Sequence, residues 1–396
     1  MKNPPQIKNK VQFNPFSGPQ IESVIHTTKA QSEILIDCLF GGDDAKRAYN
    51  LSFSLNFLGD FKFNALKRAI EHLVERHESL RASFSEDGAF MCIFSEIAFE
   101  ISYNDLSNKL EDEKLKLKDE LQHQDINYLF DLVHDPLFKA SVIKLSENAH
   151  IFIITVHHSI CDGLSIDVFL EELGVIYSAY VQDKLPNLPE VDPYSLFAEK
   201  ENLFAESNEY KLSEDFWLNM YQESVPKVEL PIDYPRPQLR TYNNHRLDFL
   251  IDKNLLNALK HTGLNAGCSL VTTLMTAFEV FLYQQTGQND LVVGLTNSRP
   301  AHFDMTQIIG HGVNVLPLRS KVDLKITFNE YLTRRKTQFF DAYEHQSISF
   351  GHILEKLSVA RDPSRIPLVP VTLNLELNKN LENEISFHNL SHDLTL

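Results

Sequence analysis

The chain has 396 residues, 43% of them hydrophobic and 23% charged, with a formal net charge of −17. That composition is globular rather than disordered, and at roughly 150 residues per domain it allows two to three domains. The acidic balance argues against broad nucleic-acid binding, which needs a basic face, and against an anionic membrane surface.

Residues 1–22 are polar and proline-bearing and read as a lead-in arm. Leu51, Phe53, Leu55 and Phe57 then alternate with smaller or polar residues, the period of a strand. Asp60 is placed to cap a helix carrying Leu66, Ile70, Leu73 and Val74 on one face. Asp87-Gly88 separates two strand-like runs and predicts a hairpin. A charged helix is expected over 111–132. A second hairpin turns at Ser146-Glu147-Asn148, and its second arm, "HIFIITV", is apolar enough to lie inside a sheet covered on both faces. After Gly163, the residues Ile166, Phe169, Leu170, Leu173, Ile176, Tyr177 and Tyr180 fall on one helical face.

The proline-rich stretch 183–194 is the natural linker, and a second one lies at 230–237. Beyond it, Leu270, Leu274, Phe278, Phe281 and Leu282 predict a buried helical face ending at Gly287. "DLVVGL" reads as a short buried strand, and Val369 to Leu375 as a half-buried one. The organisation expected is α/β. An N-terminal lobe takes 23–185 and a C-terminal lobe 186–396.

Apolar runs do not exceed "IFIITV", far short of the ~20 residues of a membrane helix. The opening "MKNPPQIKNKVQFNPF" carries no secretory pattern. Cys38, Cys92, Cys161 and Cys268 are scattered without a CxxC pair, so neither a zinc site nor a disulfide framework is expected. A cytoplasmic setting follows.

The chemistry concentrates where the buried strand runs into His157-His158-Ser159-Ile160-Cys161-Asp162-Gly163. A side chain leaving a buried strand is held by the most rigid part of a fold. A histidine there can accept a proton near neutrality. An aspartate four residues on can lock the turn, and a glycine after it permits tight backbone. A metal site is the rival reading, but adjacent histidines on an extended segment point to opposite faces.

This segment resembles the HHxxxDG signature of nonribosomal peptide synthetase condensation domains, members of the chloramphenicol-acetyltransferase-like superfamily. Arg76 to Phe84, "RHESLRASF", is similar to the family's RHExLRxxF. Ile309 to Arg319, "IGHGVNVLPLR", is similar to IGxxVNxLPLR, and Arg361 to Leu368, "RDPSRIPL", to RDxSRxPL. The resemblance covers about residues 25–376, with the motifs in the family's order. Departures are Leu35 for an aromatic residue in the first motif and Leu196 for an aspartate in "YSLFA". An aspartate is also missing after Gln346. Family members run on for a further strand and helix after the last motif, whereas this chain stops at Leu396, so the second lobe is expected to be incomplete, with an exposed sheet edge.

The resemblance implies two acetyltransferase-like mixed-sheet lobes arranged as a V-shaped pseudo-dimer, with the site between them. It implies amide-bond formation, in which the amine of a carrier-bound aminoacyl group attacks a carrier-bound acyl thioester. His158 then faces the amine, as general base or as a positioning group. His157 is structural, Asp162 locks the turn with Arg299 as its ion-pair partner, and Gly163 borders the passing pantetheine arm. Asn314 and Arg81 support the site. The domain itself binds no metal or cofactor, the phosphopantetheine arms arriving on partner proteins. Those partners are an upstream donor carrier, a downstream acceptor carrier and an adjoining adenylation domain. Neither nucleic acid nor membrane is a partner, and the domain works as a monomer. Three alternatives stay open: an epimerisation domain, against which "VNVLPLR" speaks; a free-standing coenzyme A- or carrier-dependent acyltransferase; and a non-catalytic module that docks carrier proteins.

Overall fold

The computed structural model describes residues 19–298, 305, 307–359, 362–375 and 385–395. Its first lobe is built on a five-stranded sheet of order β11-β2-β7-β6-β5. Here β2 is Asn50–Gly59, β5 Ile101–Asp105, β6 Phe138–Ser146, β7 Ala149–His157 and β11 Leu390–Thr395. A small sheet of order β1-β4-β3 lies beside it, from β1 Ile21–His26, β3 Ala82–Phe84 and β4 Phe90–Phe94. β1 thus begins inside the stretch read as a lead-in arm.

β7 is buried almost throughout, as its unbroken apolar run requires of an interior strand. It pairs antiparallel with β2 and β6, and only β5 joins parallel. Both expected hairpins form. Among the described residues, the α-helices of this lobe are α1 Lys29–Ala48, kinked at Gly42, α2 Phe63–Arg76, α3 Glu111–Ile126 and α4 Gly163–Val181. α2 buries Ala65, Leu66, Ala69, Ile70, Leu73 and Val74, the 3.6-residue stripe, against a core shared with α4 and the sheet.

The cap of α2 differs from expectation. Its N-cap is Lys62, whose N–H donates to the Tyr177 hydroxyl at 2.9 Å, and Asp60 lies outside, paired with the Lys62 ammonium. A tertiary hydrogen bond has displaced the local cap. α3 stops at Ile126, six residues or so short of the expected end, because Asn50 takes the carbonyls of Ile126 and Tyr128.

The second lobe carries α5 Tyr194–Phe204, α6 Asn208–Met220, α7 Lys253–Asn265, α8 Leu270–Thr286, α9 Phe328–Glu344 and α10 Phe350–Leu357. Its sheet runs β10-β8-β9, from β8 Asp290–Asn297, β9 Asn314–Lys321 and β10 Thr372–Leu373. β10 is much shorter than the strand expected over 369–375. α8 turns differently too: it buries Thr272, Thr273, Met275, Thr276, Glu279 and Leu282, while Phe281 is exposed. The cause is a polar cluster, with Arg335 of α9 at 2.7 Å from Glu279 and the Tyr331 hydroxyl at 2.7 Å, all buried.

The division at residue 185 falls in the coil between α4 and α5. The stretch assigned to the second lobe nevertheless crosses back. Tyr194, Phe197, Met305, Ile308, Ile309, Ile385 and Phe387 all sit in the first lobe's core. β11 pairs antiparallel with β2 from Leu390↔Gly59 to Thr395↔Ser54, giving that edge its backbone partners. The returning chain passes so close to α4 that a Cβ on Gly174 would lie 3.0 Å from the Ser386 carbonyl.

Candidate active site

β7 ends at His157, and the next residue turns away. The His158 N–H donates to the Tyr49 carbonyl at 2.7 Å. The His157 ring goes inward, fully buried between Tyr49 and Phe130. Its Nδ1 lies 2.7 Å from Ser159 Oγ and its Nε2 3.8 Å from Cys38 Sγ. Burial, with the His158 and Lys46 charges adding to it, pushes its pKa down to about 3, while burial pushes the Cys38 thiol up to about 12. Both groups are neutral at physiological pH, and the His157 ring packs inside the first lobe. Gln31, N3 of the α1 capping box, holds the same loop by donating to the Ser159 carbonyl at 3.0 Å.

His158 points the other way and is only half-buried. Its Nδ1 lies 2.7 Å from the Cys161 carbonyl. A carbonyl only accepts, so Nδ1 carries the hydrogen and the lone pair is on Nε2. Asp162 caps α4: its Oδ1 accepts the Ser165 N–H at 2.9 Å and lies 2.7 Å from the Ser165 hydroxyl. Its Oδ2 accepts the Gly312 N–H at 3.0 Å. Gly163 opens α4 and is exposed.

The opposite wall comes from the segment before β9. Ser165 Oγ accepts the Gly310 N–H at 3.0 Å and lies 2.9 Å from the Gly310 carbonyl. Tyr194 donates to the His311 carbonyl at 2.6 Å, and Ser79 to that of Ile309 at 2.8 Å. The imidazole of His311, buried, stands with its Nδ1 3.2 Å from Nδ1 of His158, the rings at 87°. Behind this, Arg76 donates to both Glu172 oxygens at 3.1 and 2.9 Å, and His77 Nε2 lies 2.9 Å from Glu172. Glu78 accepts the Ser195 N–H at 2.7 Å. Four consecutive residues, Arg76 to Ser79, thus tie α4, α5 and the second-lobe segment together.

The condensation-domain family model matches residues 22–393. The chain belongs to the condensation-domain family. Among curated relatives, it is 33% identical over 330 residues to bacitracin synthase 1 of Bacillus licheniformis, covering 82% of this chain and 6% of that protein. It is 32% identical over 367 residues to gramicidin S synthase 2 of Aneurinibacillus migulanus, covering 92% of this chain and 8% of that one. The chain therefore spans under a tenth of the length of these two relatives. A four-domain nonribosomal peptide synthetase bound to AMP and glycine superposes with a TM-score of 0.82 at 18% identity, over 95% of this chain and 29% of that one. The X-domain from teicoplanin biosynthesis gives 0.81 at 23%, over 94% and 82%. The fold of this condensation domain is the chloramphenicol-acetyltransferase-like α/β fold.

The structure brings His158, Asp162, Gly163 and the 309–312 segment together and sends His157 into the core. Asn314 lies further off, where its amide donates to the carbonyls of Gln346 and Ile348 at 3.1 and 2.6 Å and its oxygen accepts the Phe350 N–H at 3.0 Å. Arg81 ties β1 to β4 through Glu22 and the Phe94 carbonyl. Arg299, expected to pair with Asp162, and Arg361 lie outside the described residues. A cavity of about 720 Å³ between α6, β9 and α9, lined by Met220, Leu318, Arg319 and Arg335 among others, includes no residue of the signature loop. Ser165, Glu172, Tyr194 and His311 were not singled out by sequence reasoning. His311 was readable only as a variable position inside "IGHGVN".

Proposed function

We propose that this condensation domain joins a carrier-bound acyl thioester to the amine of a carrier-bound aminoacyl group, His158 being the residue that faces the amine. The amine nitrogen bonds to the thioester carbonyl carbon and the carbon–sulfur bond breaks. The proton shed by the nitrogen passes to His158 Nε2 and then to the departing thiolate, which leaves as a free thiol. His158 ends neutral, and no metal or redox partner is needed for the balance. The observation that carries this reading is the Cys161 carbonyl at 2.7 Å from His158 Nδ1, which puts the basic lone pair on Nε2 of the half-buried ring. Gly163 borders the acceptor's pantetheine arm. The partners are the donor and acceptor carrier proteins and an adjoining adenylation domain.

The test is amide formation from acyl-pantetheine and aminoacyl-pantetheine thioesters across a panel of amino acids, followed by mass spectrometry. Proton transfer by a positioned base contributes about 10²–10⁴ in rate, and orientation of the two arms supplies the rest. His158→Ala should lose that factor and retain a residue of turnover. Equal activity of both proteins removes His158 from the reaction, and equal inertness overturns the catalytic reading and favours carrier docking.

A further inference from the structure

The structure supports a second imidazole as part of the site. His311 belongs to the second lobe's sequence, yet its backbone is pinned on both sides to the first. Gly310 is held by Ser165, the His311 carbonyl by Tyr194, and the Gly312 N–H by Asp162. Its ring is thereby presented to His158 edge to face, with centroids 4.7 Å apart.

The hydrogens decide what this contact is. Two nitrogens 3.2 Å apart hold one hydrogen between them, not two. The Cys161 carbonyl requires that hydrogen on His158 Nδ1. The Nδ1 of His311 is then the acceptor, with its own hydrogen on Nε2. His158 Nδ1–H is shared between an oxygen and a nitrogen lone pair. When Nε2 of His158 takes a proton, the positive ring already donates to two acceptors, and hydrogen bonds from a charged donor are roughly twice as strong as neutral ones. A proton on His311 Nδ1 at the same moment would set two N–H groups head to head, so the pair takes up one proton.

We propose that His311 is a positioning residue for His158. It reinforces the tautomer that the Cys161 carbonyl selects, which leaves Nε2 basic, and it stabilises the ring once that nitrogen is protonated. The inference rests on the role given to His158 above. Among the described residues, the titratable groups around the pair are His157 at the end of β7, Cys161 and Asp162 on the signature loop, Tyr49 at the C-cap of α1 and Tyr194 on α5.

Two substitutions separate this from simple packing. His311→Phe keeps a ring and removes the lone pair. His311→Asn removes the ring and keeps an acceptor at the position of Nδ1. Histidine-selective ¹⁵N labelling of the full chain reads the titration midpoint of His158, assigned by its loss in His158→Ala. In His311→Phe the midpoint should fall by about one pH unit, a tenfold loss of proton affinity. Turnover should fall by about tenfold, with KM for the aminoacyl-pantetheine within about twofold. His311→Asn should hold midpoint and turnover near the parent values. The packing reading gives the reverse order, Phe spared and Asn impaired, and that result overturns the proposal. So does an unchanged midpoint in His311→Phe, whatever turnover does. Should the Phe variant not fold, a lowered midpoint in His311→Asn overturns it alone. A midpoint that shifts while turnover stays constant removes His158 from the reaction instead, so the two readings fail separately.

Discussion

Asp162 and Gly312 meet across the two lobes: the carboxylate Oδ2 accepts the glycine N–H at 3.0 Å between residues 150 apart in sequence. The other oxygen of the same carboxylate caps α4 through Ser165. One side chain thus fixes both walls of the site. An amide in its place must turn its NH₂ toward one set of donors. Asp162→Asn should therefore cost about 1–3 kcal/mol, the range for stranding buried polar groups. Urea unfolding checks the loss, and a midpoint unchanged from the parent would show that the carboxylate is dispensable.

His157 makes stability sensitive to acid. Its pKa is held near 3 in the folded chain by burial, with the His158 and Lys46 charges adding, against ~6.5 in an unfolded one. Between those values the unfolded chain binds the extra proton. Stability is thus complete above about pH 6.5 and declines by up to about 1.4 kcal/mol per pH unit below it. Urea midpoints at pH 7, 6, 5 and 4 should show a shallower decline for His157→Gln than for the parent.

Gly310 has no room for a side chain. A Cβ there would lie 2.0 Å from Tyr194 Cδ2 and 2.2 Å from Cε2. Gly310→Ala should cost about 1–3 kcal/mol by overpacking and push His311 away from His158, lowering turnover as well. In a Tyr194→Ala background the stability penalty should shrink, because the two sites share one contact. A penalty of the same size in both backgrounds would refute the steric account.

The polar core of the second lobe is a different kind of hazard. Arg335 and Glu279 are 2% and 0% exposed at their side chains and 2.7 Å apart. Removing one partner leaves a buried charge, so Glu279→Leu should cost about 3–5 kcal/mol. Replacing both, Glu279→Leu with Arg335→Met, should recover most of it. Thermal melts of the two variants test the pair.

The elements that were legible in the sequence are those that local pattern decides. The alternation from Leu51 to Phe57, the unbroken run before His157 and the helix after Gly163 each show their own periodicity, and each formed. The failures have a common cause in distant residues. Asp60 is a sound local cap, but Tyr177 claims the Lys62 N–H from 115 residues away. The apolar stripe of α8 predicts Phe281 inside, but Glu279 turns inward to meet Arg335 on α9. β1 and α1 went unread because the exposed sheet edge of the first and the Gly42 kink of the second blur their periods. At the site, His158, Asp162 and Gly163 stand in one segment and could be picked out together. His311 could not, since only the docking of one lobe on the other turns a loop imidazole toward His158.

β11 sets the timetable of synthesis. Ser391 hydroxyl and Leu58 carbonyl, 3.3 Å apart, belong to residues 333 positions apart. At ~5–20 residues per second on the ribosome, strand β2 waits roughly 15–70 s for that neighbour. Throughout that interval the edge of the first lobe's sheet is an open template for any other extended chain nearby. The emerging polypeptide therefore needs shielding until its far end arrives, and an N-terminal lobe released by itself keeps that edge bare.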